Sequence, residues 1–437
     1  MTWRTSAMIP ILGAGAAVAL GAWHALRAKE EPSWPPPSDA IAGDDAMTAV
    51  ANFVAGDPKP GDVGLPYAWS TAASIEPAAG GNEFYHRIFD DIEAASSSIH
   101  ILMFGWKPGI PAGELADLLG KKLEEGVEVR ILVDSFGSRP HGLSKDMYRR
   151  LADAGAEIVV NCFLPPRHEG LYPETKAGWA YSLPFRADHR KLFVVDGEIA
   201  WTGGAGVEDH FLDGRFFDVM VRVTGDVVRL TQAVFLTSFR SHQAPLAHDL
   251  TPYFPLPPDR GAIPTALVQV VPYGHMAATQ ATREMIDRAT HRLDIMNPYV
   301  TDDDMIQRII GAAERGVAVR VVVSQESNNF LATAALRHRY EELLAVGVEV
   351  WELPDAVVHA KLIVADDCVQ FGTLNLDAWA LYRNLEVALI AQSADTAALF
   401  ETRVFAPAIA RSTLGTPAVT RAARALGAVA NRITYFL

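Results

Sequence analysis

His189 and Lys191 stand two residues apart, with Asp196 seven residues beyond the histidine; His359, Lys361 and Asp366 repeat those types at that spacing. In an extended strand, residues i and i+2 share a face, so each pair presents an imidazole beside an ammonium. One such pair reads as an ordinary core or surface histidine; two read as a site built twice. A protonated lysine repels a cation, so neither unit has the character of a metal site, and no cofactor is expected. Two ammonium groups suit an anion instead, and they would stabilise charge accumulating on a phosphoryl group in its transition state. One neutral imidazole can then attack phosphorus while the other, protonated, donates to the departing alkoxide. These roles need opposite protonation states: a lysine neighbour lowers a histidine pKa and a carboxylate raises it. Carboxylates follow in each half, Asp218 in "FFDVMVRVTG" and Glu386 in "RNLEVALI". Asp196 and Asp366 end apolar strands and read as structural turn or salt-bridge groups.

The elements that must carry these residues alternate. Glu83 to Ser96 has a helical pattern, "SIHILMF" reads as a strand, "GELADLLGKKLEEG" as a helix and "VEVRILVD" as a strand. Apolar, β-branched strands between helices predict an α/β sandwich whose sheet is covered on both faces. The order then recurs: "EEGVEVRILVDS" matches "AERGVAVRVVVS", and "YRRLADAGAEIVV" matches "YEELLAVGVEVWE". Two duplicated domains are expected, 82–255 and 256–403, packed about a pseudo-twofold axis that brings both HxK units into one pocket. The first copy holds roughly 22 extra residues ahead of His189, with Tyr172, Trp179 and Tyr181 placed to overhang that pocket.

The flanks differ in character. Ala7 to Leu26 carries no formal charge over 20 residues, about 30 Å of helix and one bilayer core, so 1–29 reads as a membrane anchor or signal segment. Residues 30–81 are proline-rich and read as a linker running along the surface of the first domain. Residues 404–437 carry four arginines and no acidic side chain amid apolar residues, which suits a basic amphipathic segment on anionic lipid. The chain of 437 residues has a net charge of −14, which opposes broad phosphate binding, and no nucleic-acid partner is expected. Its two cysteines, Cys162 and Cys368, have no metal-type spacing.

The doubled HxKxxxxD pattern, each copy followed by a Gly-rich stretch (Gly203 and Gly204; Gly372 and Thr373), resembles the phospholipase D superfamily. "RILVDSFGSRP", "DHRKLFVVDGEIAWTGG", "MNPYVTDD" and "GTLNLD" are similar to bacterial cardiolipin synthases within it. The resemblance covers about residues 82–395. It implies two α/β/α domains, one shared site without a metal, and a phosphohistidine on His189, with His359 as general acid and then base. It also suggests crosswise orientation, His189 by Glu386 and His359 by Asp218, and gives phosphate-binding roles to Asn375 and the Gly-rich stretches. With the anchor, it implies a phosphatidyltransferase on phosphatidylglycerol at a bacterial inner membrane, held by a single N-terminal span. A hydrolase or nuclease-like phosphodiesterase is the alternative, and a non-catalytic lipid-binding scaffold is a third. Two departures stand out: Gly206 occupies the place that Asn375 holds in the second copy, and Trp379-Ala380 replaces the Arg-Ser pair of cardiolipin synthases.

Overall fold

The computed structural model describes residues 41–42, 45–58, 62–140, 142–161, 187–242, 246, 249–272, 274–417 and 421–432. Tyr172, Trp179 and Tyr181 lie outside the described residues, as do Cys162 and the apolar run from Ala7 to Leu26.

Two sheets carry the duplication. The first has the order Ser74–Ala79, Val219–Thr224, Ile199–Gly203, Lys191–Val195, Ser98–Met103, Glu128–Asp134, Glu157–Asn161. The last three run parallel and the others antiparallel. The second sheet repeats that order with Ile263–Val270, Glu386–Gln392, Cys368–Gly372, Leu362–Ala365, Arg292–Met296, Ala318–Ser324 and Glu349–Leu353. Crossover helices Ile110–Glu124 and Asp303–Glu314 join the parallel strands at matching places. Each gives way to its next strand through a glycine with positive φ, Gly126 at 86° and Gly316 at 90°, which explains why both repeats read "GV" there.

Between the sheets lies the helix Val227–Ser241, whose residues are buried almost throughout. Among its buried polar side chains, Thr231, Thr237 and Ser241 donate to carbonyls of their own helix, and Gln232 pairs with His100. It touches strands of both sheets, and Phe235 and Phe239 join residues of both halves in one continuous core.

Part of the segment expected as a surface linker lies in the sheets. Tyr67–Ala72 pairs with Ile263–Val270 in the second sheet, and Ser74–Ala79 pairs with Val219–Thr224 in the first. Pro77 is tolerated because Ser74–Ala79 is an edge strand, where no partner needs its missing N–H. At the other end, Thr413–Leu414 adds a short edge strand, and the helix Arg421–Arg432 lies on Phe330–His338, so close that a Cβ on Gly427 would come within 2.9 Å of the Ala334 carbonyl.

The membrane-anchored architecture and its inner-membrane placement are corrected here. No helix among the described residues is long and apolar enough to cross a membrane. The longest α-helices described, Ile110–Glu124 and Val227–Ser241, have 15 residues each, about 22 Å against a bilayer core of about 30 Å. Both pack against protein. The fold defined by the described residues is therefore the pair of duplicated α/β sandwiches without a spanning helix.

Asp196 and Asp366 are each held by a run of backbone amides. Both adopt positive φ, 54° and 53°. Asp196 accepts from the amides of Ser96, Ser97 and Ser98, and Asp366 from those of Thr290, His291 and Arg292. Partial burial opposes their ionisation, but these amides outweigh it and hold both carboxyls below their ordinary range. A carboxyl with a depressed pKa contributes stability above its unfolded pKa and loses it as pH falls through the folded value. Asp196→Asn and Asp366→Asn, which keep a residue tolerant of positive φ, should each cost about 2–4 kcal/mol near neutral pH. Chemical denaturation should show that deficit shrinking toward pH 3.

Candidate active site

Each HxK unit sits where its strand begins, at the end of the sheet where the neighbouring parallel strands finish: Lys191 is paired with Met103, and Leu362 with Met296. Just before each unit the chain crosses to the opposite half. The His189 amide donates to Leu385 O and the Leu385 amide to Ala187 O. In the mirror arrangement, the His359 amide donates to Phe217 O and Val357–Val358 pairs in parallel with Phe216–Phe217. Each histidine is thereby laid beside the acid of the other half.

The crosswise pairing is a direct result. His189 Nδ1 is 2.9 and 3.1 Å from the two carboxylate oxygens of Glu386, and His359 Nδ1 is 2.7 Å from Asp218 Oδ2. A carboxylate on Nδ1 fixes the Nδ1–H tautomer and reserves Nε2 for chemistry. Both acids are fully buried. Lys191 Nζ donates to the His189 carbonyl at 2.5 Å; Lys361 Nζ donates to the His359 carbonyl and lies 2.8 Å from His359 Nδ1. Phe104 stands edge-on to His189 with centroids 4.7 Å apart, and Phe211 and Phe216 flank His359 at 5.4 and 5.7 Å.

Burial governs the electrostatics. Desolvation, with Lys191 and Lys361 adding repulsion, holds His189 well below the ordinary imidazole range. Desolvation and Lys361 push His359 down to about 3, against Asp218. Each histidine thus feels the lysine of the other half as well as its own. Burial also pushes Lys191 down to about 8 and Lys361 to about 7, and raises Glu386 to about 8. Burial thus disfavours the charged forms of both histidines, both lysines and Glu386.

The Gly-rich stretches have a different job from the phosphate loop expected of them. The Thr373 amide donates to Val387 O, and its hydroxyl holds the acid by donating to Glu386 Oε2 at 2.5 Å, so both groups are already engaged. At the matching position Gly204 has no room for a side chain, since a Cβ would fall 2.5 Å from Asp218 Oδ1 and 2.6 Å from the His359 carbonyl. Gly203 and Gly372 let the strands carrying Val219 and Val387 approach, a Cβ lying 2.2 and 2.3 Å from their carbonyl oxygens. Asn375 is buried, supports Asp377 through its side chain, and has an Oδ1 without a partner among the described residues. Gly206 cannot be an asparagine here: its Cβ would meet the Gly105 carbonyl at 2.4 Å.

Several supporting residues escaped the sequence reading. Arg190 forms a buried two-pronged ion pair with Asp188 at 2.8 and 2.7 Å, and reaches Gln269 at 2.8 Å. The Asp188 amide donates to Asp134 Oδ2 at 2.9 Å; in the second half the Val358 amide donates to Ser324 Oγ at 2.8 Å. Asp134 and Ser324 end matched strands, "RILVD" and "RVVVS", which was the available signal. The partners they hold come from distant sequence.

Two duplicated α/β sandwiches sharing two histidines, two lysines and crossed acids place the chain in the phospholipase D superfamily. Residues 88–234 and 282–405 match the family model described as cardiolipin synthase, PLD-like domain, and the chain belongs to that family. It is 29% identical over 326 residues to the probable cardiolipin synthase YwiE of Bacillus subtilis, covering 73% of this chain and 62% of that one. It is likewise 29% identical over 325 residues to cardiolipin synthase A of Pectobacterium carotovorum, covering 70% and 63%. The chain thus spans somewhat under two thirds of the length of these relatives. The crystal structure of phosphatidylserine synthase from Haemophilus influenzae shares the fold, with a TM-score of 0.60 at 15% identity over 89% of this chain and 98% of that one.

Two outcomes are expected. Glu386→Gln and Asp218→Asn should each lower kcat by about two to four orders of magnitude with little change in KM, because they disturb tautomer and orientation rather than anion binding. Binding of a non-cleavable phosphonate should take up protons above pH 7, where Lys361 is partly neutral until the anion raises its pKa. Calorimetry in buffers of different ionisation enthalpy measures that uptake, and proton release would contradict it.

Proposed function

We propose that the chain transfers a phosphatidyl group from one phosphatidylglycerol to another, making cardiolipin and glycerol. The observation that carries the reading is the crossed pairing of His189 with Glu386 and His359 with Asp218 around two buried lysines, in a chain whose relatives are named cardiolipin synthases. His189 Nε2 attacks phosphorus and the bond to the glycerol oxygen breaks, with the proton supplied by His359. Lys191 and Lys361 hold the phosphate oxygens. His359, now neutral, takes the proton of an incoming glycerol hydroxyl, which displaces His189 and regenerates the enzyme. No metal or cofactor enters either step.

The acceptor is the open choice, since water could attack the same intermediate. Gly206 and Trp379-Ala380 alter the surroundings but leave the histidines and lysines in place. Incubation of the purified chain with phosphatidylglycerol decides it: cardiolipin and glycerol are expected, and phosphatidic acid would make the chain a hydrolase.

The two histidines should fail differently. A p-nitrophenyl phosphodiester has a leaving group that needs no proton, so with it His359→Ala should still form the intermediate but hydrolyse it slowly. Mass spectrometry should then locate a phosphoryl adduct on His189, whereas His189→Ala gives none. An adduct on His359 in the latter variant would exchange the roles.

A further inference from the structure

We propose that the loop after strand Glu128–Asp134 is a lipid-docking element that seats the mouth of the site on an anionic bilayer. This rests on the lipid reading above.

Large apolar side chains are displayed at the catalytic end of the first sheet. Phe136 is 64% exposed, Leu143 67% and Ile110 61%, and each follows the finishing end of Ser98–Met103 or Glu128–Asp134, the end at which Lys191 lies. Charge gives the patch its partner. Residues 135–145 contain Arg139 and Lys145 and no carboxylate, in a chain with 52 acidic residues; the first, Asp146, belongs to the following helix. Arg139 and Lys145 are both exposed. Apolar side chains interleaved with cations suit an interface of acyl chains and phosphate headgroups.

The loop is also tied to the catalytic group. Asp134 Oδ1 accepts from the amides of Phe136 and Gly137, while its Oδ2 accepts from the amide of Asp188, next to His189. Ser138 Oγ donates to Phe104 O at 2.8 Å, and the Phe104 ring packs on His189. The loop therefore holds a fixed place beside the mouth. In the second half Ser324 Oγ likewise accepts from the Val358 amide, next to His359, but the further bonds to loop amides are those of Asp134.

The test uses the full chain carrying Cys162→Ser and Cys368→Ser, labelled with acrylodan on Phe136→Cys. Vesicles of equal parts phosphatidylglycerol and phosphatidylcholine should shift the label's emission to the blue. A label on Leu256→Cys should not respond; Leu256 is 71% exposed and follows Pro255, which packs on Gly197 at the opposite end of the sheet. Arg139→Ser with Lys145→Ser should weaken vesicle binding by about tenfold or more and flatten its salt dependence. Phe136→Ser with Leu143→Ser should lower turnover of vesicular phosphatidylglycerol by about tenfold or more, while leaving turnover of soluble bis(p-nitrophenyl) phosphate unchanged. An unshifted label at 136, or an equal loss on both substrates, overturns the proposal. The label reports docking whether or not phosphatidylglycerol is turned over, so the failure of the substrate reading is seen separately.

Discussion

The short parallel pairings that cross between the halves are the constraint on which the site depends. Through Leu385 and Phe217, each histidine's own backbone is bonded to the strand that carries the opposite acid. The side-chain pairs His189–Glu386 and His359–Asp218 then follow from register, because the acid is the next residue along in both cases. Neither half alone can supply a histidine with its carboxylate. The buried lysines add a second reason for union: each is tolerated in a dry site because carboxylates of both halves act on it.

Duplication produced near-symmetry, and the departures from it have structural causes. Gly204 faces the shorter Asp218, where the second half uses Thr373 to brace the longer Glu386. Arg190 and Asp188 flank His189, while Ala360 and Val358 flank His359. The first motif is thus anchored through Gln269 to the carbonyls of Gly64 and Leu65, a restraint without a counterpart around His359 at those positions. A buried ion pair of this kind is costly to break, because removing one partner leaves the other charge buried and uncompensated.

Much of the site was legible because strand geometry converts spacing into direction. His189 and Lys191 had to share a face, and repetition at His359 and Lys361 distinguished a site from coincidence. The duplicated sandwich followed from matched helix–strand phrases. What stayed hidden depends on contacts distant in sequence. The strand character of Tyr67–Ala79 is masked by prolines around it, and nothing local shows that its two strands serve different sheets. The resemblance implied phosphate-binding roles for Thr373 and the glycines; only the fold reveals the carbonyls and carboxylates that press on them.

Ala73 is the single residue between Tyr67–Ala72 and Ser74–Ala79, strands of different sheets. It lies at the end remote from the histidines, since Ala72 pairs with Ile263 whereas Glu386 pairs with Val270 at the far end of the same strand. Gly225 and Gly261 close against it, with no space for a Cβ. The halves are therefore clamped twice, by a covalent stitch at the base and by the crossed pairings at the mouth, with a shared helix between. A clamshell motion has no free edge from which to open. For the same reason the repeats have lost their independence as folding units: melting one strips the other of its core, and the duplicated chain behaves as one cooperative body.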